Sequence, residues 1–160
     1  MAELELRIKK LTETAKIPTY GTDGAAAFDM YADVGENVEH GGKDGSYLYY
    51  VVHPHHNVKI PTGIAMAIPH DYVGLLFARS GKACNENLRP ANCVGVVDED
   101  YRGNVTACIH NDGTEPRIVE VGERVCQMLI VERWKARFIL CDELDETARG
   151  TDGFGSTGKR

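Results

Sequence analysis

No stretch of this 160-residue chain is apolar for long enough to cross a membrane, and its opening residues, MAELELRIKK, contain no apolar h-region. A soluble intracellular protein with no membrane partner is expected. The five cysteines, Cys84, Cys93, Cys108, Cys126 and Cys141, are odd in number and form no CxxC pair. They are expected as reduced, small core residues in a reducing compartment. Positive charge is also scarce: 18 Lys and Arg against 24 Asp and Glu give a formal net charge of −6. Such a surface repels a phosphate backbone on average, so no nucleic-acid partner is expected. A polyphosphate ligand would have to be met by locally placed arginines and backbone amides. Internal repeats and long amphipathic helices are absent as well.

What remains is short and β-rich, with 17 glycines among β-branched runs. Leu4, Leu6 and Ile8 alternate with Glu3, Glu5 and Arg7, the period of a half-buried strand. Further strands are expected at 47–52, 63–68, 72–77, 94–97, 105–110, 117–119 and 124–131, divided by turn residues such as Pro69-His70-Asp71 and Asn111-Asp112-Gly113. Regularly spaced strands of this kind indicate an all-β sandwich, jelly roll or barrel. Residues 94–97 and 105–110 read as one hairpin, closed by Gly103, whose bend carries Asp98 and Tyr101. A core over 1–141 is expected, with a surface insertion around 35–56. From Asp142 the chain turns acidic and then glycine-rich, with Phe154 its single large apolar residue, so 142–160 should be a mobile arm until something orders it.

Several stretches carry chemistry, each beside a plainer reading. Asp98 and Tyr101 on one bend could serve a small ligand, the carboxylate activating water and the ring packing against a sugar or base. Taken alone, the bend reads more simply as a solvated acidic turn with a surface tyrosine. Asp29 stands among apolar neighbours, and a buried carboxylate is costly without partners, so it has a structural or a functional reason to be there. Arg79-Ser80-Gly81 offers a guanidinium, a hydroxyl and close backbone approach to phosphate oxygens, or else a polar turn after a strand. Asn92, six residues before Asp98, presents a donor and an acceptor that match a pyrimidine edge, or satisfies a turn. His53-Pro54-His55-His56 is a histidine-rich loop; its rings cannot all face one ion from a regular strand, and no Cys or carboxylate stands at ligand spacing. The tail Gly153-Phe154-Gly155-Ser156-Thr157-Gly158-Lys159 fits the opening of a P-loop, but Arg160 replaces the Ser or Thr that would hold magnesium. An NTPase is excluded, and a flexible anion-binding segment with one aromatic ring survives.

Taken together, these stretches resemble the five ordered motifs of the trimeric dUTPase family: residues 24–32, 74–83, 95–103, 122–129 and 149–158. Ala27 stands where the family usually has glycine. The resemblance implies a β jelly-roll (β-clip-like) subunit in a homotrimer whose active sites draw on all three chains. It implies hydrolysis of dUTP to dUMP and pyrophosphate, which limits uracil incorporation into DNA and supplies dUMP for thymidylate synthesis. By the same resemblance, Asp98 activates the water that attacks the α-phosphorus and Tyr101 excludes a 2′-hydroxyl. Asn92 with the backbone near Val96 and Val97 reads uracil. Arg79, Ser80, Gly81 and Gln127 hold phosphates, and Arg149, Gly155, Ser156 and Thr157 clamp the terminal one. Phe154 stacks over the base, and Asp29 supports the site. Mg²⁺ is the implied cofactor, held by substrate phosphates and waters with no direct protein ligand. The related dCTP deaminases place a glutamate on the equivalent hairpin, where this chain has Asp98. A non-catalytic nucleotide sensor contacting a protein partner through the 35–56 insertion is the alternative from another class.

Overall fold

The computed structural model describes residues 3–153, and within them the regular elements are thirteen strands and one short helix. β1 (Arg7–Lys10) pairs antiparallel with β7 (Ile64–Ala67). The largest sheet has the order β10 (Gly95–Val97), β8 (Tyr72–Phe77), β13 (Arg124–Glu132), β3 (Phe28–Tyr31), β2 (Thr19–Tyr20). A second sheet runs β6 (Asn57–Pro61), β11 (Thr106–Asn111), β9 (Leu88–Pro90), and a third β12 (Arg117–Glu120), β5 (Tyr47–Val52), β4 (Glu39–Gly41). This is an all-β jelly-roll subunit. Its core gathers Met30, Tyr50, Ile60, Ile64, Leu88, Ile109 and Met128, all essentially without solvent contact. Alternation sets those positions: in β11 Ala107, Ile109 and Asn111 are buried while Thr106 is exposed and Cys108 and His110 lie between.

The expected hairpin over 94–110 is not formed. β10 pairs with β8, whereas β11 pairs with β6 and β9, so the two runs belong to different sheets. Val105 decides this: its N–H donates to the Ile64 carbonyl at 2.8 Å, and its own carbonyl accepts from the Thr62 N–H and hydroxyl at 3.0 and 2.7 Å. Docked there, the chain can only continue beside β6, and residues 98–104 become a connection between sheets.

Three other expectations change. The 35–56 stretch is only partly a surface insertion, because Tyr50 and Val52 are fully buried and the Tyr50 hydroxyl donates to the Asp33 carbonyl at 2.5 Å. Its exposed parts include Glu36 and Asn37, the turn between β4 and β5, and His53, His55 and His56. Of the cysteines, only Cys126 is buried; Cys84, Cys93 and Cys141 are exposed. Burial pushes the Cys126 thiol up to about 12. The alternating N-terminal residues give a strand later than expected, and within one chain Leu4 and Ile8 remain in contact with solvent. After β13 ends at Glu132, Trp134, Phe138, Leu140 and Leu144 are each almost wholly exposed in the single chain. No helix among the described residues is long and apolar enough to cross a membrane.

Candidate active site

The large sheet carries two groups of chemistry-bearing residues, one at the exit of β8 and one along β10. The first group forms where β8 passes into α1 (Ser80–Glu86). Gln127 on β13 lies opposite Asp29 on β3 and Phe77 on β8, so a carboxylate, a carboxamide and the exit of β8 share one row across three strands. Asp29 is 6% exposed, and its two oxygens accept from Arg79 Nε at 2.7 Å and Arg124 Nη1 at 3.2 Å. The cost of burying the carboxylate is thus met by two cations. Gln127 Nε2 donates to the Ala78 carbonyl at 2.9 Å, fixing the backbone just before Arg79. Arg79 is the extended residue that caps α1, and Ser80 and Gly81 open the helix on an exposed surface with no atom near the position a Gly81 side chain would take.

Sequence reading did not foresee α1 or its anchor. Lys82, nearly buried, reaches Glu86 at 2.8 Å and Glu123 at 2.5 Å, and so ties the helix to the turn that leads into β13. The Lys82/Glu86 spacing of four was the available signal. Asn87 ends the helix in the left-handed region at φ 58°. A second unforeseen group is the buried Asp33, which accepts hydrogen bonds from Thr12 and Thr14, the latter at 2.6 Å. It stitches the N-terminal loop to the core.

The second group lies along β10, at the edge of the sheet. Val97 is buried, whereas Val96 is 63% exposed. An edge strand keeps outward N–H and C=O groups free for a ligand. A small cleft of about 50 Å³, lined by Leu76, Pro90, Asn92, Gly95, Ala107 and Cys108, opens between this strand and the neighbouring sheet. A side chain at Gly95 would press on Leu76 and come into contact with the Asn92 amide, so glycine leaves room in the cleft. Asp98 follows at the far end of β10 and is exposed. Tyr101, its N–H bonded to the Asp98 carbonyl at 3.2 Å, is 46% exposed and donates its hydroxyl to the Asn104 carbonyl at 3.0 Å. Any side chain on Gly103 would collide with the Tyr101 ring. Glu99, also unforeseen, accepts from Arg133 at 2.8 Å, which holds its carboxyl down at about 2.

Register separates Asp98 from Arg79. Gly95 faces Leu76 and Val97 faces Gly74, so Asp98 leaves the sheet beside Val73. Arg79 lies six residues beyond Val73, just past the end of β8, which puts roughly 20 Å between it and Asp98 at about 3.3 Å per extended residue. Arg79 therefore stands near the Asn92 end of β10 and not near Asp98. Arg149 sits apart in an exposed turn, its Nε bonded to the Asp152 carbonyl at 2.9 Å. Phe154, Gly155, Ser156 and Thr157 lie outside the described residues. The 53–56 histidines form no ligand group among the described residues: His56 Nδ1 donates to the Pro54 carbonyl at 2.8 Å, and the His53 ring lies edge-on to it. At the Asp29 end the carboxylate is taken up by two arginines, and the groups beside it are guanidinium, hydroxyl and carboxamide, which suit phosphate oxygens rather than a metal ion.

The sequence model of the dUTPase family matches residues 13–158. The deoxyuridine 5'-triphosphate nucleotidohydrolase of Desulfitobacterium hafniense (strain DSM 10664 / DCB-2) is 43% identical over 144 residues, covering 89% of this chain and 87% of that protein. That of Helicobacter pylori (strain ATCC 700392 / 26695) is 36% identical over 155 residues, covering 97% of both. Among solved structures, Staphylococcus bacteriophage 80alpha dUTPase with dUPNHPP superposes with a TM-score of 0.76 at 26% identity, covering 96% of this chain and 98% of that one. With nearly its whole length matched by sequence and by fold, this chain belongs to the dUTPase family.

Proposed function

We propose that this enzyme hydrolyses dUTP to dUMP and pyrophosphate in a homotrimer, with Asp98 of one subunit and the Asp29–Arg79–Gln127 group of another meeting at each site. The observation that carries the reading is the separation along β8. A base acting at the α-phosphorus and the cations that hold the phosphates must lie within one ligand's length, and roughly 20 Å of strand divides them within a chain. A second copy supplies the missing half. The exposed Trp134, Phe138 and Leu140 fit this arrangement, since an apolar run of that kind is stable only when covered, and a neighbouring subunit covers it.

In the assembled site, uracil enters the cleft beside β10, where the Asn92 carboxamide and the strand edge at Val96 and Val97 meet its polar edge. Cytosine would leave those donors and acceptors unpaired, which costs more than a lost apolar contact. The Tyr101 ring packs on deoxyribose and leaves no space for a 2′-hydroxyl. Asp98, exposed beyond the strand end, orients a water and takes its proton as the oxygen approaches the α-phosphorus. Arg79, Ser80, Gly81 and Gln127 bind the phosphate chain, and Asp29 holds Arg79 in the orientation that does so. Arg149, with Gly155, Ser156 and Thr157, clamps the terminal phosphate while Phe154 covers the base. Mg²⁺, when carried in on the substrate, would add to the charge neutralisation that Arg79 and Arg149 give the phosphates. The product dUMP is then available for thymidylate synthesis, and uracil is kept out of DNA.

The test is purified protein with Mg²⁺ against dUTP, dCTP, dTTP and UTP, following pyrophosphate and ammonia separately. Pyrophosphate from dUTP alone is expected. Ammonia from dCTP, or silence on all four, contradicts the proposal.

A further inference from the structure

Glu99 follows the proposed base directly, and its carboxylate is the most heavily engaged group on the 98–104 connection. Oε2 accepts the Asp71 N–H at 2.8 Å, while Oε1 accepts from Arg133 Nη2 at 2.8 Å and His70 Nδ1 at 3.0 Å. Arg133 is held a second time, its own N–H donating to the Asp71 carbonyl at 2.8 Å. The same loop is tightened from the other side, where Arg102 Nη1 donates to the carbonyls of Glu99 and Tyr101 at 2.5 and 2.9 Å. Asp71 makes these contacts from a left-handed backbone at φ 66°, in the turn between β7 and β8. His70, Asp71 and Glu99 come close enough together to suggest a cation site. Glu99 already has a guanidinium, an imidazole and an amide on its two oxygens, so an incoming ion would have to displace Arg133.

We infer that Glu99 is a positioning residue for dUTP hydrolysis: by joining Arg133 to the Asp71 turn it fixes the 98–104 connection, and with it Asp98 and Tyr101, to the point where the chain leaves β13. The inference rests on the assignment of Asp98 as the base. Two consequences follow from the geometry. First, a loop joining two sheets has no ladder of its own over 98–104, so the Glu99 contacts replace the register that a hairpin would have given. Second, Arg133 is the first residue after β13, the root of the segment that carries Arg149 and Phe154. One ion pair therefore links the position of the base to the departure of the arm. The contact is local to the loop, so it governs the alignment of Asp98 more than the uracil contacts at Asn92 and β10.

The test is a double-mutant cycle on the full-length enzyme with dUTP and Mg²⁺, using Glu99→Gln, Arg133→Met and the pair together. Arg133→Lys and Asp98→Asn serve as comparisons, with oligomer mass checked for each. Each single change is expected to lower kcat by about tenfold or more while KM rises less than about threefold, since small misplacement of a catalytic group is costly. The double variant should be no slower than either single one, because both remove the same contact. Arg133→Lys, which keeps a cation within reach, should recover kcat to within about threefold of the parent. A Glu99→Gln enzyme as fast as the parent, or a double variant whose losses multiply, overturns the inference while leaving the base assignment intact. An Asp98→Asn enzyme as fast as the parent removes the assignment on which it rests. Arg133→Met leaves Glu99 and its amide contact in place, so the inference is still tested if Glu99→Gln does not fold.

Discussion

Replacing Asp29 with asparagine should weaken both the fold and the grip on phosphate, and by amounts that the geometry sets. The carboxylate accepts from Arg79 at 2.7 Å and from Arg124 at 3.2 Å, and only 9% of the side chain meets solvent. The amide is nearly isosteric, yet it carries no charge and turns an NH₂ towards one of the two guanidinium groups. Charge-assisted hydrogen bonds contribute roughly 1 kcal/mol more than neutral ones, so each arginine loses about that much. Arg124, with 47% of its side chain exposed, recovers part of the loss from water. A net destabilisation of about 1–2 kcal/mol results, and at roughly 2–4 °C per kcal/mol for a chain of this size the melting point falls by about 2–8 °C. Arg79, no longer held, contributes less to phosphate binding; a loss of about 1.4 kcal/mol raises KM for dUTP about tenfold. Thermal melts at matched protein concentration and steady-state pyrophosphate release measure both, with oligomer mass confirmed by light scattering. A melting point within about 1 °C of the parent together with an unchanged KM would refute the reasoning, because Asp29 would then be holding neither arginine.

Gly103→Ala places a methyl against the Tyr101 ring, and the ring, at the end of a flexible side chain, yields before the backbone does. The fold should survive while the ratio of kcat/KM for dUTP over UTP falls, and an unchanged ratio would separate Tyr101 from sugar discrimination. The Glu99 carboxyl is lowered from its ordinary 4.5 to about 2, chiefly by the Arg133 guanidinium and further by the Asp71 amide and His70. A lowered acid stabilises the fold above its unfolded-state value and loses that contribution as pH falls through its folded-state value. The urea midpoint of the parent should therefore exceed that of Glu99→Gln at about pH 5, and the gap should shrink between about pH 4.5 and 2. A gap that persists unchanged at about pH 2.5 would contradict the ion pair.

Local pattern was a good guide wherever local pattern decides. Residues 47–52 and 72–77 are strands over the range their apolar runs suggest, because turn residues bound them on both sides. Pairing was another matter. Val105 settles the partner of β11 by docking on Thr62 and Ile64, far back in the chain, and no feature of 94–110 itself announces that. Helix α1 is seven residues long, too short for apolar periodicity to stand out, although Lys82 and Glu86 were correctly spaced for it. The need of Asp29 for partners was legible in its apolar neighbourhood. Their identity was not, since Arg79 and Arg124 lie 50 and 95 residues away. The cysteines misled because small apolar neighbours in sequence do not dictate which face of a strand or loop a thiol takes. The resemblance already implied sites shared among chains; what the register of β8 and β10 adds is that Asp98 and Arg79 leave the sheet at opposite ends within one chain.

The central claim is that water activated by Asp98 attacks the α-phosphorus of dUTP. A single turnover of dUTP in oxygen-18 water with Mg²⁺, followed by mass spectrometry of both products, tests it most directly. One heavy oxygen is expected in dUMP and none in pyrophosphate, with the rate collapsing in Asp98→Asn. Heavy oxygen in pyrophosphate, or an Asp98→Asn enzyme that labels dUMP at the parental rate, would contradict it.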